Sequence, residues 1–230
     1  IRKPMRPLLV IIKNAAQENR ELLTQDEAET FLEHYDIPVV RTLTAKTVDD
    51  AVNRVAQIGY PVALKILSPQ IAHKTDAGGV VLDISSEAQL RQSFDTVTKR
   101  AHEYNPEAEI QGVMLQPMIK KNGHEVIIGS KTDPFFGPVV LFGMGGIGVE
   151  VFKDVSVGLP PLNQTLARRV IEETKVYQLL KGYRNMPAAN LKLLEEIMVR
   201  FSQMLVDFPQ IREVDINPLF IDERDAVALD

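Results

Sequence analysis

PVALKILSPQIAHKTDAGGVV, running from Pro61 to Val81, is the stretch on which the fold reading turns. Its first seven residues are an apolar run interrupted only by Lys65, which reads as a buried strand. Val80 opens a second strand that continues to Ile84. A cation inside the first strand must meet an anion or a polar pocket, or else lie at a strand end and reach solvent. The loop His73-Lys74-Thr75-Asp76-Ala77-Gly78-Gly79 between the strands has two readings. Its paired glycines let backbone amides approach an anion, with Lys74 and Thr75 adding donors. Alternatively they make a Gly-Gly turn with polar decoration, the commoner meaning of such a sequence. No helix begins directly after the loop, so a phosphate site on a helix dipole is not indicated. His73 reads as a base, a phosphate acceptor or a surface histidine, and spacing alone favours the last.

Outward from this stretch the pattern is regular. Thr24-Gln25-Asp26-Glu27 is a capping box, followed at helical spacing by Ala28, Phe31, Leu32 and Tyr35. Thr47 starts a helix with Val48, Ala51, Val52 and Val55 on one face, and Gly59 and Pro61 close it. Ser86 with Gln89 caps a helix whose apolar face is Leu90, Phe94, Val97, Ala101 and Tyr104. Strands are expected over Gly112–Met118, Glu125–Gly129 and Pro138–Met144. One helix begins at Asn163, and another carries Leu191, Leu194, Met198, Phe201 and Leu205. Val214–Ile221 and Ala226–Leu229 flank a polar turn and read as a hairpin. Leu8–Ile12, a lone apolar patch near the start, reads as a strand or linker arriving from an upstream domain. Strands alternate with helices, so the class is α/β or α+β with mixed sheets.

Composition limits the function. The chain has 230 residues, 45% apolar and 25% charged, enough for a sizeable core. Its net charge of −5 disfavours nucleic acid as a bulk partner. There is no Cys, so thiol nucleophiles, Cys–zinc sites and disulfides are excluded and a reducing, cytoplasmic setting fits. No membrane partner is expected, because the longest candidate run, Gly137 to Val151, holds five Gly and a Glu. The start at Ile1 and the stop at Asp230 lead to the expectation of a fragment of a larger multidomain chain.

Three further stretches bear on chemistry. Gln116-Pro117-Met118-Ile119 at a strand end, with Glu125 opening the next strand, would offer backbone groups to a flat heterocycle and a carboxylate to sugar hydroxyls. Spacing alone favours a Pro-containing turn with a surface Glu. Glu213-Val214-Asp215-Ile216-Asn217-Pro218 alternates oxygen donors with apolar residues, so Glu213, Asp215 and Asn217 share one strand face. With Asp230 on the adjacent strand they suit Mg²⁺ held partly by substrate phosphates, since close carboxylates repel without a cation. Gly143-Met144-Gly145-Gly146-Ile147-Gly148 matches a dinucleotide fingerprint poorly, and that fold is rejected. Glu150, Lys153 and Asp154 after it suggest a polar pocket floor.

Taken in order, PVALKILSPQIAHKTDAGGVV, GVMLQPMI, HEVIIGSKTDPFFGPVVLFGMGGIGVEVFKD and EVDINPLFI with the closing ALD resemble the ATP-grasp domain of NDP-forming acyl-CoA synthetases. The resemblance runs from about Thr24 to Asp230. It implies an ATP-grasp fold of two mixed α/β subdomains, 24–115 and 116–230, with a nucleotide cleft between them and 1–23 as the linker. It also implies ATP or ADP with Mg²⁺ as ligands. Lys65 would contact the phosphates, and the His73–Gly79 loop, with Lys74, Gly78 and Gly79, would cover them. Gln116, Pro117, Met118 and Ile119 would form the adenine hinge, and Glu125 would contact the ribose. Asp215, Asn217 and Asp230 would surround the metal, and His73 would carry a phosphoryl group as a nucleophilic imidazole.

The sequence is similar, more closely still, to the ATP-grasp segment of bacterial protein lysine acetyltransferases. In active synthetases an Arg usually precedes the Leu-Pro step, whereas here Gly158 stands there, and Asn185 replaces a common Gly. A glycine cannot grip phosphate as a guanidinium does. The leading expectation is therefore a nucleotide-binding, catalytically weakened module of a lysine acetyltransferase. In it a GNAT domain outside this sequence would use acetyl-CoA. Its partners would be the CoA-ligase-like and GNAT domains of the same chain and protein substrates such as acyl-CoA synthetases, in an oligomer. The first alternative is the catalytic β-type part of an ADP-forming acetyl-CoA synthetase with a phosphohistidine relay. The second is a structural or oligomerisation module that binds no nucleotide.

Overall fold

Helix starts fall where side-chain caps are available. In the computed structural model, which describes residues 5–71, 74–119, 122–146 and 153–230, Thr24 and Glu27 close a complete capping box ahead of α2, Gln25–His34. Thr47, Ser86, Asn163 and Asn190 likewise accept from the amide three residues on. They open α3 (Val48–Ile58), α4 (Glu87–Tyr104), α5 (Gln164–Glu172) and α7 (Leu191–Asp207). Each such cap stabilises its helix by about 1 kcal/mol. Between α5 and α7 lies the short α6, Tyr177–Leu180.

The chain divides into two compact units, Val40–Lys120 and Ile1–Val39 with Lys121–Asp230. The first unit is built on β1 (Leu43–Ala45), β2 (Val62–Leu67), β3 (Val80–Ile84) and β4 (Gly112–Pro117). They form an antiparallel sheet in the order β1-β4-β2-β3. Val62, Leu64 and Ile66 turn one way and join Val55, Leu90 and Val97 of α3 and α4 in a buried core. The pleat therefore sends Ala63, Lys65 and Leu67 to the opposite face.

The second unit is built on β5 (His124–Asp133), β6 (Gly137–Met144), β7 (Val155–Gly158), β8 (Glu213–Ile221) and β9 (Ala226–Ala228). Its sheet is antiparallel in the order β7-β6-β5-β8-β9. Val126, Ile128, Val140, Phe142, Ile216 and Leu219 pack with Ala167, Leu194, Met198 and Phe201 of α5 and α7. The class is thus mixed α/β, as the alternating pattern implied. Among the described residues no helix is long and apolar enough to cross a membrane.

The start of the chain departs from expectation. Leu8–Ile12 is not a strand or linker but part of helix α1, Arg6–Gln17. A five-residue apolar run does not distinguish the two states. Tertiary packing decides, because Leu8 is fully buried and Met5, Ile11 and Ile12 pack on the same core. Burying one leucine in this way contributes roughly 1.5–3 kcal/mol. Val39 then bridges Ala228, whose amide donates to Pro38 O at 2.8 Å. These ties attach the first 39 residues to the second unit, where sequence had placed a boundary at 115/116 with a separate linker over 1–23.

Candidate functional site

Lys65 is half-buried on the face of the first sheet opposite α3 and α4, and its β4 neighbour is Met114. One pair along, Ala63 faces Gln116, which is buried and donates from Nε2 to Thr42 Oγ1 at 3.0 Å. The same face thus gathers Lys65, expected to contact phosphates, and Gln116, the first residue of the expected adenine hinge. The hinge is less open than its sequence suggested. Pro117 has no amide hydrogen, and the Met118 N–H donates to Pro61 O at 3.0 Å. The Met118 amide is therefore already paired.

The glycines of the loop serve its turn. Gly78 N–H donates to Thr75 O at 3.0 Å, and Gly79 N–H to Lys74 O at 2.8 Å. Gly78 has φ +62, and a β-carbon on Gly79 would press into Ile66 at 2.5 Å from Cγ2. Both amides are therefore engaged inside the turn, which favours the Gly-Gly turn over the anion cradle as the reading of these two glycines. Lys74 remains half-buried beside it. His73 lies outside the described residues, as does Glu150.

The oxygen donors converge in the second unit. Between the pairs Val126↔Leu219 and Ile128↔Ile216, β5 advances two residues and β8 three. Asn217 and Pro218 thus form a bulge, a device that re-aims a side chain. Asn217 Oδ1 accepts the Gly146 N–H at 2.9 Å, and its own N–H donates to Asp230 O at 2.9 Å. Gly146 has φ +63, and a β-carbon there would collide with Glu125 Oε2. The neighbouring Gly145 N–H donates to Glu125 O at 3.0 Å. Glu125, Gly146, Asn217 and Asp230 are therefore one connected cluster. The glycine run, unremarkable as a dinucleotide motif, is what links it. No local sequence signal marks that role.

Asp215 lies two residues before Asn217 and keeps its carboxyl in contact with solvent. Crowding by the sheet, then the charges of Glu213 and Asp230, push it above the usual carboxylate range. The part of this shift that comes from Glu213 and Asp230 is a repulsion that a cation would relieve. Among the described residues no three Asp, Glu, His or Cys side chains are close enough to hold a metal by themselves. Two carboxylates and an amide oxygen fit Mg²⁺ that arrives with phosphate oxygens completing its shell.

Two other residues have structural duties. Asp154 is buried and accepts from the Lys175 and Val176 amides, both at 2.7 Å, so it anchors the chain before α6 and is no pocket floor. Gly158 pairs with Val140 on the core side of β7, and a β-carbon there would lie 2.9 Å from Val170 Cγ2 and 3.1 Å from Leu162 Cδ2. A side chain at 158 points into the core, so glycine there does not strip a guanidinium from the cluster around Asn217.

The ATP-grasp domain profile matches residues 14–230. The chain is 42% identical over 220 residues to the acetate–CoA ligase (ADP-forming) I subunit beta of Pyrococcus furiosus, covering 96% of this chain and 94% of that one. It is 36% identical, with a TM-score of 0.91, to the Candidatus Korarchaeum cryptofilum dinucleotide-forming acetyl-coenzyme A synthetase 1 in complex with coenzyme A, Ca-AMPCP and HgCl+, covering 99% and 97% of the two chains. A second structure of that synthetase, in complex with coenzyme A and Mg-AMPPCP, has its phosphohistidine segment pointing towards the nucleotide binding site. It is 33% identical, with a TM-score of 0.83, and 97% of each chain is covered. These likenesses overturn the lysine acetyltransferase expectation: the similarity is to ADP-forming ligases. A GNAT domain, protein substrates and acetyl-CoA in an acetyltransferase role have no support.

Proposed function

The chain belongs to the ATP-grasp family, and on that premise we propose that it is the nucleotide-binding, β-type part of an ADP-forming acyl-CoA ligase. The observation that carries the reading is the cluster in which Gly146 fixes Asn217 between Asp230 and Glu125, with Asp215 beside it. In this role Asp215, Asn217 and Asp230 hold Mg²⁺, which when bound neutralises charge on the phosphate oxygens. Lys65 and Lys74 meet the phosphates, Gln116 to Ile119 hold the adenine, and Glu125 accepts from the ribose hydroxyls. The partner is the CoA-binding remainder of the ligase, and the setting is the cytoplasm.

His73 carries the phosphoryl group. Its neutral imidazole nitrogen attacks phosphorus, an N–P bond forms, and the leaving oxygen departs with the electron pair. From ATP the leaving group is ADP. In the synthetic direction the phosphoryl arrives from an acyl phosphate, and the ADP β-phosphate oxygen then takes it from the histidine. With no Cys in the chain, a thioester on this segment is excluded.

Calorimetry with Mg·ADP tests the reading. Saturable binding is expected, weakened by at least about tenfold in Asp215→Asn. No binding by the wild-type chain would return it to a scaffold without nucleotide.

A further inference from the structure

Besides the cluster around Asn217, the second unit holds an open, solvent-facing cavity of about 860 Å³, lined by Asn122, Arg184, Asn185, Met186 and Pro187 and by the turn residues Asp222, Glu223 and Arg224. None of these residues has a place in the chemistry above.

Hydrogen bonds hold the backbone of both walls, from which exposed side chains project. Tyr183 and Met186 exchange backbone hydrogen bonds at 3.1 and 3.0 Å, which sets Arg184 and Asn185 at a hairpin tip. Arg184 has φ +53, a conformation that costs energy in a residue with a β-carbon. On the other side, Asp222 Oδ1 accepts the Arg224 and Asp225 amides, both at 2.8 Å. The Asn190 N–H donates to Asp222 O at 2.8 Å, tying the turn to the start of α7. Buried His124 reaches Pro187 O from Nε2 at 3.2 Å, tying the hairpin loop to β5.

The guanidiniums reach this space from exposed side chains, and the charge of Arg224 acts on the Asp222 carboxylate. The guanidinium of Arg184 lies over the Tyr183 ring, 5.2 Å from its centroid. Among the described residues neither it nor that of Arg224 is in an ion pair, and the side-chain amides of Asn122 and Asn185 are likewise unused. Asp222, kept ionised by the Asp225 and Arg224 amides and the charge of Arg224, and Glu223 are the two carboxylates that oppose an anion here.

We propose that this cavity is a binding site for a phosphate ester. The forks of Arg184 and Arg224 take the phosphate oxygens, a geometry that guanidinium suits better than ammonium. Asn122 and Asn185 donate to further oxygens, and Met186 and Pro187 cover the organic part. The volume is in the range of small-molecule sites and exceeds the need of a free phosphate.

Titration calorimetry of the chain at low ionic strength, with phenyl phosphate and inorganic phosphate as probes, tests this. Phenyl phosphate should bind saturably and more tightly than inorganic phosphate. Arg184→Gln and Arg224→Gln should each weaken it by about tenfold or more, and Arg184→Lys by less. Glu223→Gln should tighten it, a sign that misfolding cannot produce. Asp215→Asn, which disables the proposed metal site, should leave it unchanged. Absence of saturable binding, or affinity indifferent to both arginine variants, would overturn the site. Inorganic phosphate binding as tightly as phenyl phosphate would overturn the assignment to an ester.

Discussion

The backbone amide of Gly146 donates to Asn217 Oδ1 across 2.9 Å, joining residues 71 positions apart at the bulge of β8. The bond points the amide oxygen of Asn217 in a fixed direction while Asp230 O holds its backbone. A ligand set pre-positioned in this way binds its ion without first ordering its own side chains.

Gly146→Ala should break this arrangement. Its φ of +63 disfavours alanine, and the new methyl would meet Glu125 Oε2. The left-handed backbone alone costs about 1–2 kcal/mol. Calorimetry should show Mg·ADP affinity reduced by about tenfold or more, with only a modest fall in the thermal midpoint. Undiminished affinity would remove Gly146 from the site.

Gly158→Arg distinguishes core from phosphate contact. Because the side chain would enter beside Val170 and Leu162, overpacking should destabilise the fold by about 1–3 kcal/mol. Denaturant melts should show the loss, and nucleotide affinity should not rise. A gain in Mg·ADP affinity without destabilisation would mean that the strand presents residue 158 to the nucleotide.

Glu195 gives the fold a pH dependence. It is buried on α7, and its carboxylate accepts from Arg168 Nε at 2.8 Å and from Gln164 Nε2 at 3.0 Å. The Arg168 bond foremost holds its pKa below the ordinary value. Above that ordinary value the unfolded and folded chains are both ionised, and the full stabilisation is present. As pH falls through the lowered folded value, the unfolded state takes up the proton first and the stabilisation is lost. Glu195→Gln should therefore cost about 1–2 kcal/mol at neutral pH, the lower end of what a charged hydrogen bond provides, because Arg168 is half exposed. Urea midpoints of the two proteins should converge in acid below about pH 4. A gap independent of pH would sink this assignment.

Gly79→Ala tests the turn before β3. Crowding against Ile66 should lower stability by about 1–3 kcal/mol, read as a shift in the urea midpoint with an unchanged slope. A neutral effect would mean that the glycine is there for a ligand.

Much of the fold was legible because its signals are local. A cap and its acceptor lie three residues apart, so Thr24, Thr47, Ser86 and Asn163 mark their helices from sequence alone. Leu8–Ile12 was misread because its helical state depends on a core assembled from distant segments. The acidic strand face around Asp215 was legible as alternation, whereas the Gly146–Asn217 bond depends on a bulge that no spacing records. Gly158 misled for the same reason. A glycine where the resemblance leads one to expect arginine reads as lost charge until the strand's pleat shows the direction of its β-carbon.

The most direct test of phosphoryl transfer through this chain uses ATP radiolabelled in its γ-phosphate, with Mg²⁺, on the wild type and His73→Asn. Acid-labile, alkali-stable label on the wild type, absent from His73→Asn and discharged by ADP, is the expected result. A wild-type chain that binds Mg·ATP yet takes up no label, or a His73→Asn variant labelled equally well, would contradict it.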